Sequence, residues 1–396
     1  MSMVFGIGAT AAAARETALP IEVTPTASLQ IDYRYHSFSD DTAFERDAHV
    51  AAFDVRRARL GLDGKIGELY EATVSVDLVG TPKLRDGYIN YAFMDEVELR
   101  VGQFNSPFGN EAYGSSLNQE FIEDSTIASV ISPGRDRGMM LHGLLFDEIW
   151  LYQIGLMNGA GDNTADNNNS VDVLLRTQLG TPPGSNDFLQ GWVGLSLTFG
   201  SQVATEDTSI KLVTETASGT TYFNADMPEG EVYDRIRFGF NATGLFGPAM
   251  VKFEYDRMSL TFDESVAISG GSLMTSFFVT GEQRTVKYGV LGSQVVDWPV
   301  SADEFGAWEL ALRLSWFDVD ELFFQTDGLY DGWVAVDPVT YVADGFAWTF
   351  GVNWYPDENA RIMFNWVNSY APDPHAEDDS KTGIEQAVLM RFQLAF

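Results

Sequence analysis

Cysteine is absent from the 396 residues, which excludes a disulfide framework and any thiolate metal site. No run of about 20 apolar residues occurs, and mean hydropathy is −0.08, so the chain does not cross a membrane as helices. Basic residues number 24 against 57 acidic ones, a net charge of −33. That excludes a general nucleic-acid binder, because phosphate backbones need a basic surface. Lysine is the scarcer base, confined to Lys65, Lys83, Lys211, Lys252, Lys287 and Lys381. The only histidines are His36, His49, His142 and His375. None has an evident nucleophile beside it, and no pair has metal-ligand spacing. Neither an enzyme nor a resident cofactor or metal is therefore expected, and the acidic run Glu377-Asp378-Asp379 reads as a solvated loop.

Aromatic residues, by contrast, make up 13% of the chain, a content that suits an apolar outer band with aromatic girdles. The dominant pattern has a period of two. Trp308, Leu310, Leu312, Leu314 and Trp316 alternate with Glu309, Arg313 and Ser315. Trp348, Phe350, Val352 and Trp354 alternate with Thr349, Gly351 and Asn353. Val388, Met390, Phe392, Leu394 and Phe396 alternate with Arg391 and Gln393. Such runs reach ten residues or more, enough to cross a bilayer at a tilt. Soluble strands are typically about five or six residues long.

The pattern predicts an all-β fold: a transmembrane antiparallel β-barrel of about 16 strands. The strands run from Ser28–Ser37 to Glu385–Phe396, with the eleventh at Pro248–Leu260, the twelfth at Arg284–Asp297 and the thirteenth at Phe305–Asp318. Tight turns follow strands two, four, six, ten and fourteen. Long polar connections follow five, seven, nine, eleven, thirteen and fifteen, which places both termini on the short-turn, periplasmic rim. Residues 1–20 read as a signal-peptide remnant or a mobile tail, and 21–396 as a single barrel. The connection 107–134 is the most apolar of the loops. With Phe108, Leu117, Phe121, Ile122 and Ile127 to bury, it is expected to fold into the barrel as a third-loop constriction, the alternative being an external flap packed at a subunit interface.

Inward positions carry many arginines: Arg34, Arg100, Arg176, Arg235, Arg237, Arg313 and Arg391. The stretch Arg56-Arg57-Ala58-Arg59 changes phase, since Phe53 and Val55 set one face and Leu60 and Leu62 the other, so a bulge is expected there. Two readings stay open. Planar guanidiniums could form an anion path, or they could pair with Asp32, Asp77, Asp86, Glu98, Asp172, Glu254, Asp256 and Glu309 across neighbouring strands.

The segments Phe53–Lys65, Leu99–Asn110 (LRVGQFNSPFGN), Ile131–Gly138 (ISPGRDRG), Trp308–Ser315 and Gly351–Pro356 (GVNWYP) resemble the phosphate-selective porin O and P family. They run through most of the chain in the family's order. The resemblance implies homotrimers of sixteen-stranded barrels with a constricting third loop, and lumen arginines and an aspartate that bind phosphate in some members. Matched by position, it points to Arg34, Arg56 or Arg57, Asp86, Arg135, and Arg235 or Arg237 as residues of the substrate path. The family often has Lys where this chain has Asn105, so a lysine funnel is not implied. The expectation is an outer-membrane porin passing small solutes, anions such as phosphate among them. Its expected partners are outer-membrane lipid, two further copies of itself and the barrel-assembly machinery. A general or cation-preferring porin, or an envelope-anchoring barrel, is the alternative.

Overall fold

The computed structural model describes residues 19–38, 51–324, 342–372 and 382–396, apart from 165, 167, 183, 185, 187, 206–207, 217–220, 228 and 263. The sequence expectations for His49, His375, the run 377–379 and most of 1–20 lie outside the described residues.

Twenty strands form in chain order. They are β1 (Ile21–Phe38), β2 (Ala51–Ile66), β3 (Tyr70–Asp77), β4 (Lys83–Met94), β5 (Val97–Asn105), β6 (Arg135–Leu145), β7 (Trp150–Met157) and β8 (Asp172–Gly180). Next come β9 (Leu189–Val203), β10 (Ser209–Val213), β11 (Thr221–Asp226), β12 (Val232–Phe246), β13 (Ala249–Thr261) and β14 (Ser265–Phe278). The last are β15 (Val286–Lys287), β16 (Val290–Leu291), β17 (Ala307–Val319), β18 (Asp344–Asp357), β19 (Ala360–Pro372) and β20 (Thr382–Ala395). Sixteen of them close an antiparallel barrel, every pair adjacent in sequence except that β10–β11 and β15–β16 stand aside as separate hairpins. β20 pairs back onto β1 from Ser28↔Ala395 to Phe38↔Glu385, so no edge is left open.

Alternation explains the wall. Leu60, Leu62 and Val74 on the outer face are more than half exposed, while Gln30 and Asp32 on the inner face are fully buried. Near the short-turn rim, aromatic pairs such as Trp308–Trp354 (5.6 Å) and Phe146–Trp150 (5.9 Å) stack side by side, as a girdle requires. The expected bulge is present. Gln30 pairs with Arg57 but Ile31 with Val55, leaving Arg56 as the extra residue, so Arg56, Arg57 and Arg59 all turn inward.

One strand lies elsewhere than expected. The twelfth barrel strand is β14, at Ser265–Phe278, joined to β13 by a turn of only three residues, 262–264. Arg284–Asp297 instead belongs to a long excursion, 279–306, on the short-turn rim. The reason is that β14 buries its inner face against protein rather than water. Val266, Ile268 and Met274 point inward there, and Ser272 and Ser276 are the only polar side chains of that face, so the polar half of the alternation is weak.

What they pack against is a dry core inside the barrel. A short helix, α1 (Thr126–Ile131), is capped by Ser125 and carried by the connection between β5 and β6. It joins the β10–β11 hairpin and the inner faces of β12, β13, β14 and β17 in one cluster that includes Ile127, Ile131, Leu212, Phe223, Leu260 and Phe317. A side chain at Gly270 would place its Cβ 3.0 Å from Ile127 and 2.2 Å from the Trp316 carbonyl, so only glycine admits this approach.

The lumen and its candidate solute path

The connection between β5 and β6, residues 106–134, lies inside the barrel, held by the inward side chains of distant strands. At its entry Gly109 adopts φ +61°, where an added Cβ would sit 2.3 Å from the Glu254 carboxylate. Glu254 accepts the backbone N–H groups of Asn110 (2.8 Å) and Glu111 (3.0 Å). Arg176 donates to the Gly109 carbonyl (3.1 Å) and to Asn110 Oδ1 (2.6 Å). Further along, Lys252 pairs with Glu120 (3.3 Å), and Asn353 donates to the Glu120 carbonyl (2.9 Å). Arg391 donates to the Ile122 carbonyl (2.6 Å), while Asn365 accepts the Ile122 N–H (2.8 Å). Phe108, Phe121, Ile122 and Ile127 are buried, and Leu117 is half-buried.

Two further segments enter the lumen. Glu215, beyond β10, accepts from Arg313 Nη2 (2.6 Å) and Nε (3.0 Å), from Thr349 (3.1 Å) and from Ser315. Arg313 also reaches Glu111 (3.0 Å), so one guanidinium ties the hairpin, the loop and the wall together. From the opposite rim, the turn between β15 and β16 rises to meet the loop tip. Gly289, at φ +79°, leaves room where a Cβ would lie 2.6 Å from Asn110 Nδ2. Asn118 donates to the Leu291 carbonyl (3.2 Å).

Filling is therefore one-sided. Along β8 to β20, inward Arg176, Gln178, Glu254, Glu309, Arg313, Asn353, Asn365 and Arg391 are at most 5% exposed. Along β2 and β3 no inward side chain is buried, and along β4 and β5 only Asn90 and Phe104 are. The least buried stretch of the inner wall is thus β2–β5, beside the loop segment 112–118.

Pairing of the expected path residues is extensive. Arg34 lies between Asp32 (3.2 Å) and Asp54 (3.7 Å). Arg56 clasps Glu123, and Arg135 clasps Asp86 through Nε (3.0 Å) and Nη2 (3.2 Å). Arg235 pairs with Asp172 at 3.0 Å, and Arg237 reaches the same oxygen only at 3.7 Å. These residues do not meet at one point. Arg34, Arg56 and Arg57 share the β1–β2 corner, Asp86 and Arg135 a second place, and Arg235 and Arg237 a third on β12.

Arg57 is less committed, donating to Gln30 Oε1 (3.0 Å) with Glu123 at 3.9 Å. Beside it Arg59 bridges Asp77 (3.0 Å) and Ser116 (3.0 Å), and Arg85 approaches Asp77 at 4.0 Å. Arg85 escaped the sequence reading because it is itself a bulge residue, between Ser75↔Asp86 and Val76↔Leu84. Of the described histidines, His36 Nδ1 lies 2.9 Å from Glu385 and His142 Nε2 lies 3.0 Å from Asn90.

A closed sixteen-stranded barrel with lipid-facing apolar residues and loops folded into a polar lumen defines a porin of the bacterial outer membrane. The chain belongs to the phosphate-selective porin O and P family, whose pattern matches residues 25–396. Solved structures share the fold at low identity. An anion-selective porin from Comamonas acidovorans is 13% identical, with TM-score 0.56 over 95% of this chain and 100% of that one. The outer membrane channel DcaP of Acinetobacter baumannii is 12% identical, with TM-score 0.54 over 95% and 97%. A trimer form of OmpT from Vibrio cholerae is 11% identical, with TM-score 0.53 over 94% and 99%. No curated protein matches in sequence.

Proposed function

We propose that this porin passes small solutes by diffusion between the loop 106–134 and the β2–β5 wall, with a weak to moderate preference for anions. The observation that carries the reading is the charge balance at this wall: within 4 Å the guanidiniums of Arg56, Arg57, Arg59 and Arg85 reach only two carboxylates, Asp77 and Glu123. Asp32, Asp54, Asp86 and Asp124 act on them from further off. Charges in a narrow, protein-bounded passage are poorly screened. The total of −33 counts every charge alike, whereas any charge further from the passage than a Debye length of about 8 Å contributes little to selectivity.

Most of the arginines are matched by acids, and the lysine that could draw anions inward is scarce. The proposal is therefore an anion preference without tight phosphate specificity. The loop 106–134 acts as the constriction, and three copies assemble as one unit, as in the trimer form of OmpT from Vibrio cholerae. The test is a reversal potential across a KCl gradient, with phosphate then added as competitor. A positive-going anion preference that shrinks in Arg59→Ala supports the reading. Cation selectivity persisting at high salt overturns it.

A further inference from the structure

We infer that the lumen carries a lateral binding site for amphipathic organic monocarboxylates, with Arg237 as its charged anchor. The inference rests on the reading of this barrel as an open solute pore, which is the route by which such a ligand would arrive. A cavity of about 320 Å³ lies in the long-loop half of the lumen, between the β10–β11 hairpin, α1 and the inner faces of β12 and β13. That is within the size range of small-ligand pockets. Its two kinds of wall are distinct. Ile210, Met227, Met258 and Leu260 supply an apolar side, each no more than 7% exposed. Arg237 supplies the other, with Arg235 and Lys211 at the margin.

Arg237 is the group that points to a ligand. Its side chain is 7% exposed, its Nε has no hydrogen-bond partner, and its Nη1 finds only Thr198 at 3.5 Å and Asp172 at 3.7 Å. Charge-assisted bonds to carboxylates usually measure about 2.7–2.9 Å. Asp172 is shared with two nearer donors, its Oδ2 accepting from Arg235 (3.0 Å) and its Oδ1 from Gln202 (2.7 Å). A buried guanidinium so poorly matched is costly unless an anion reaches it.

The apolar wall decides which anion. Inorganic phosphate offers oxygens on every side, and those facing Met258 and Leu260 would be left without donors. A carboxylate carrying a hydrocarbon tail gives its head to the fork of Arg237 and its tail to the wall, removing apolar surface from water.

The experiment is calorimetric titration of the detergent-folded full-length barrel with sodium hexanoate, with acetate and inorganic phosphate as comparators. Expected is one hexanoate site per chain, tighter than acetate and tighter than phosphate. Arg237→Gln should weaken hexanoate about tenfold or more, as loss of a charge-assisted bond predicts. Met258→Gln should weaken hexanoate while leaving acetate unchanged. Hexanoate that binds no tighter than phosphate overturns the site, as does affinity unmoved by either folded variant. If Arg237→Gln does not fold, the Met258→Gln comparison decides alone. A KCl reversal potential on the same preparation, without organic acid, judges the pore reading separately: cation selectivity with hexanoate binding intact would sink that reading and leave the site standing.

Discussion

Arg56 on β2 grips Glu123 of the lumen loop through two parallel bonds, Nε to Oε1 at 2.9 Å and Nη2 to Oε2 at 3.0 Å. Arg391 adds a third contact to the same carboxylate at 3.1 Å, from the strand on the other side of the β1 seam. The loop is thus anchored beside the arginines of the β1–β2 corner, and its anchor is the acid that Arg56, Arg57 and Arg391 share. Replacing that acid by its neutral isostere changes the field without changing the volume. Glu123→Gln is expected to raise the anion-to-cation permeability ratio, read as a reversal potential in a KCl gradient. A ratio that falls or stays level would mean these arginines do not face the permeating ions.

The same carboxylate sets an acid limit. Burial alone would push Glu123 up, but the hydrogen bonds from Arg56 and the charges of Arg56, Arg391 and Arg57 outweigh it and hold the group down at about 2. A depressed carboxylate contributes stability fully above its ordinary value near 4.5 and loses it as pH falls through about 2. The difference in single-channel conductance between the native barrel and Glu123→Gln should therefore be level from neutral pH down to about pH 3.5. A step between about pH 4 and 5 would show that an ordinary, unclamped carboxylate controls the passage.

Removal of 117–129 takes away the half-buried Leu117 together with Glu120, Glu123 and most of α1. Conductance should rise in any barrel that still folds. The deletion also strands Lys252 and Arg391, each of which loses a loop partner, so the heat-modification temperature should fall. Unchanged conductance in a folded deletion would place the loop outside the solute path.

Glu215→Ala removes the acid that accepts two bonds from Arg313, from Nε and Nη2, and one from Thr349. Breaking a buried ion pair costs about 3–5 kcal/mol, and the remaining contact to Glu111 (3.0 Å) places this case at the lower end. The expected outcome is a folded barrel with reduced resistance to heat in detergent, followed by gel mobility. Wild-type heat resistance would mean that the hairpin contributes nothing to holding the lumen loop.

Phe396 closes the last strand. Its N–H donates to the Ala27 carbonyl (3.0 Å), its own carbonyl accepts the Ala27 N–H (2.7 Å), and its side chain is 72% exposed. Phe396 shares the lipid-facing side of its strand with Phe392 and Leu394, and we predict that it also serves as a signal for the assembly machinery. Deleting Phe396 should lower the folded fraction in cells while refolding in detergent is little affected. Normal cellular levels of folded barrel after the deletion would count against that role.

Fifteen barrel strands were legible because lipid on one side and a polar environment on the other impose a period of two on every residue pair. The bulge at Arg56 was legible for the same reason, as a break of phase between Val55 and Leu60. β14 was not, because Val266, Ile268 and Met274 face inward onto packed protein, and Ser272 and Ser276 leave only a weak polar half in the alternation. Conversely Arg284–Asp297 passed for a strand because it buries Leu291 and Val296 inside the barrel, whose apolar residues then mimic an outer face.

The sequence by itself determined what each strand shows to lipid, and hence the barrel, its strand number, its rims and the membrane in which it sits. Only the tertiary structure decided what each inward side chain meets. Arg313 and Glu111 are 202 residues apart, and Arg391 and Asp32 are 359 apart, yet each pair is in contact. Whether a lumen arginine is spent holding a loop or left facing water depends on where such distant segments fold back. Local alternation reports a residue's face and carries no information about that partner.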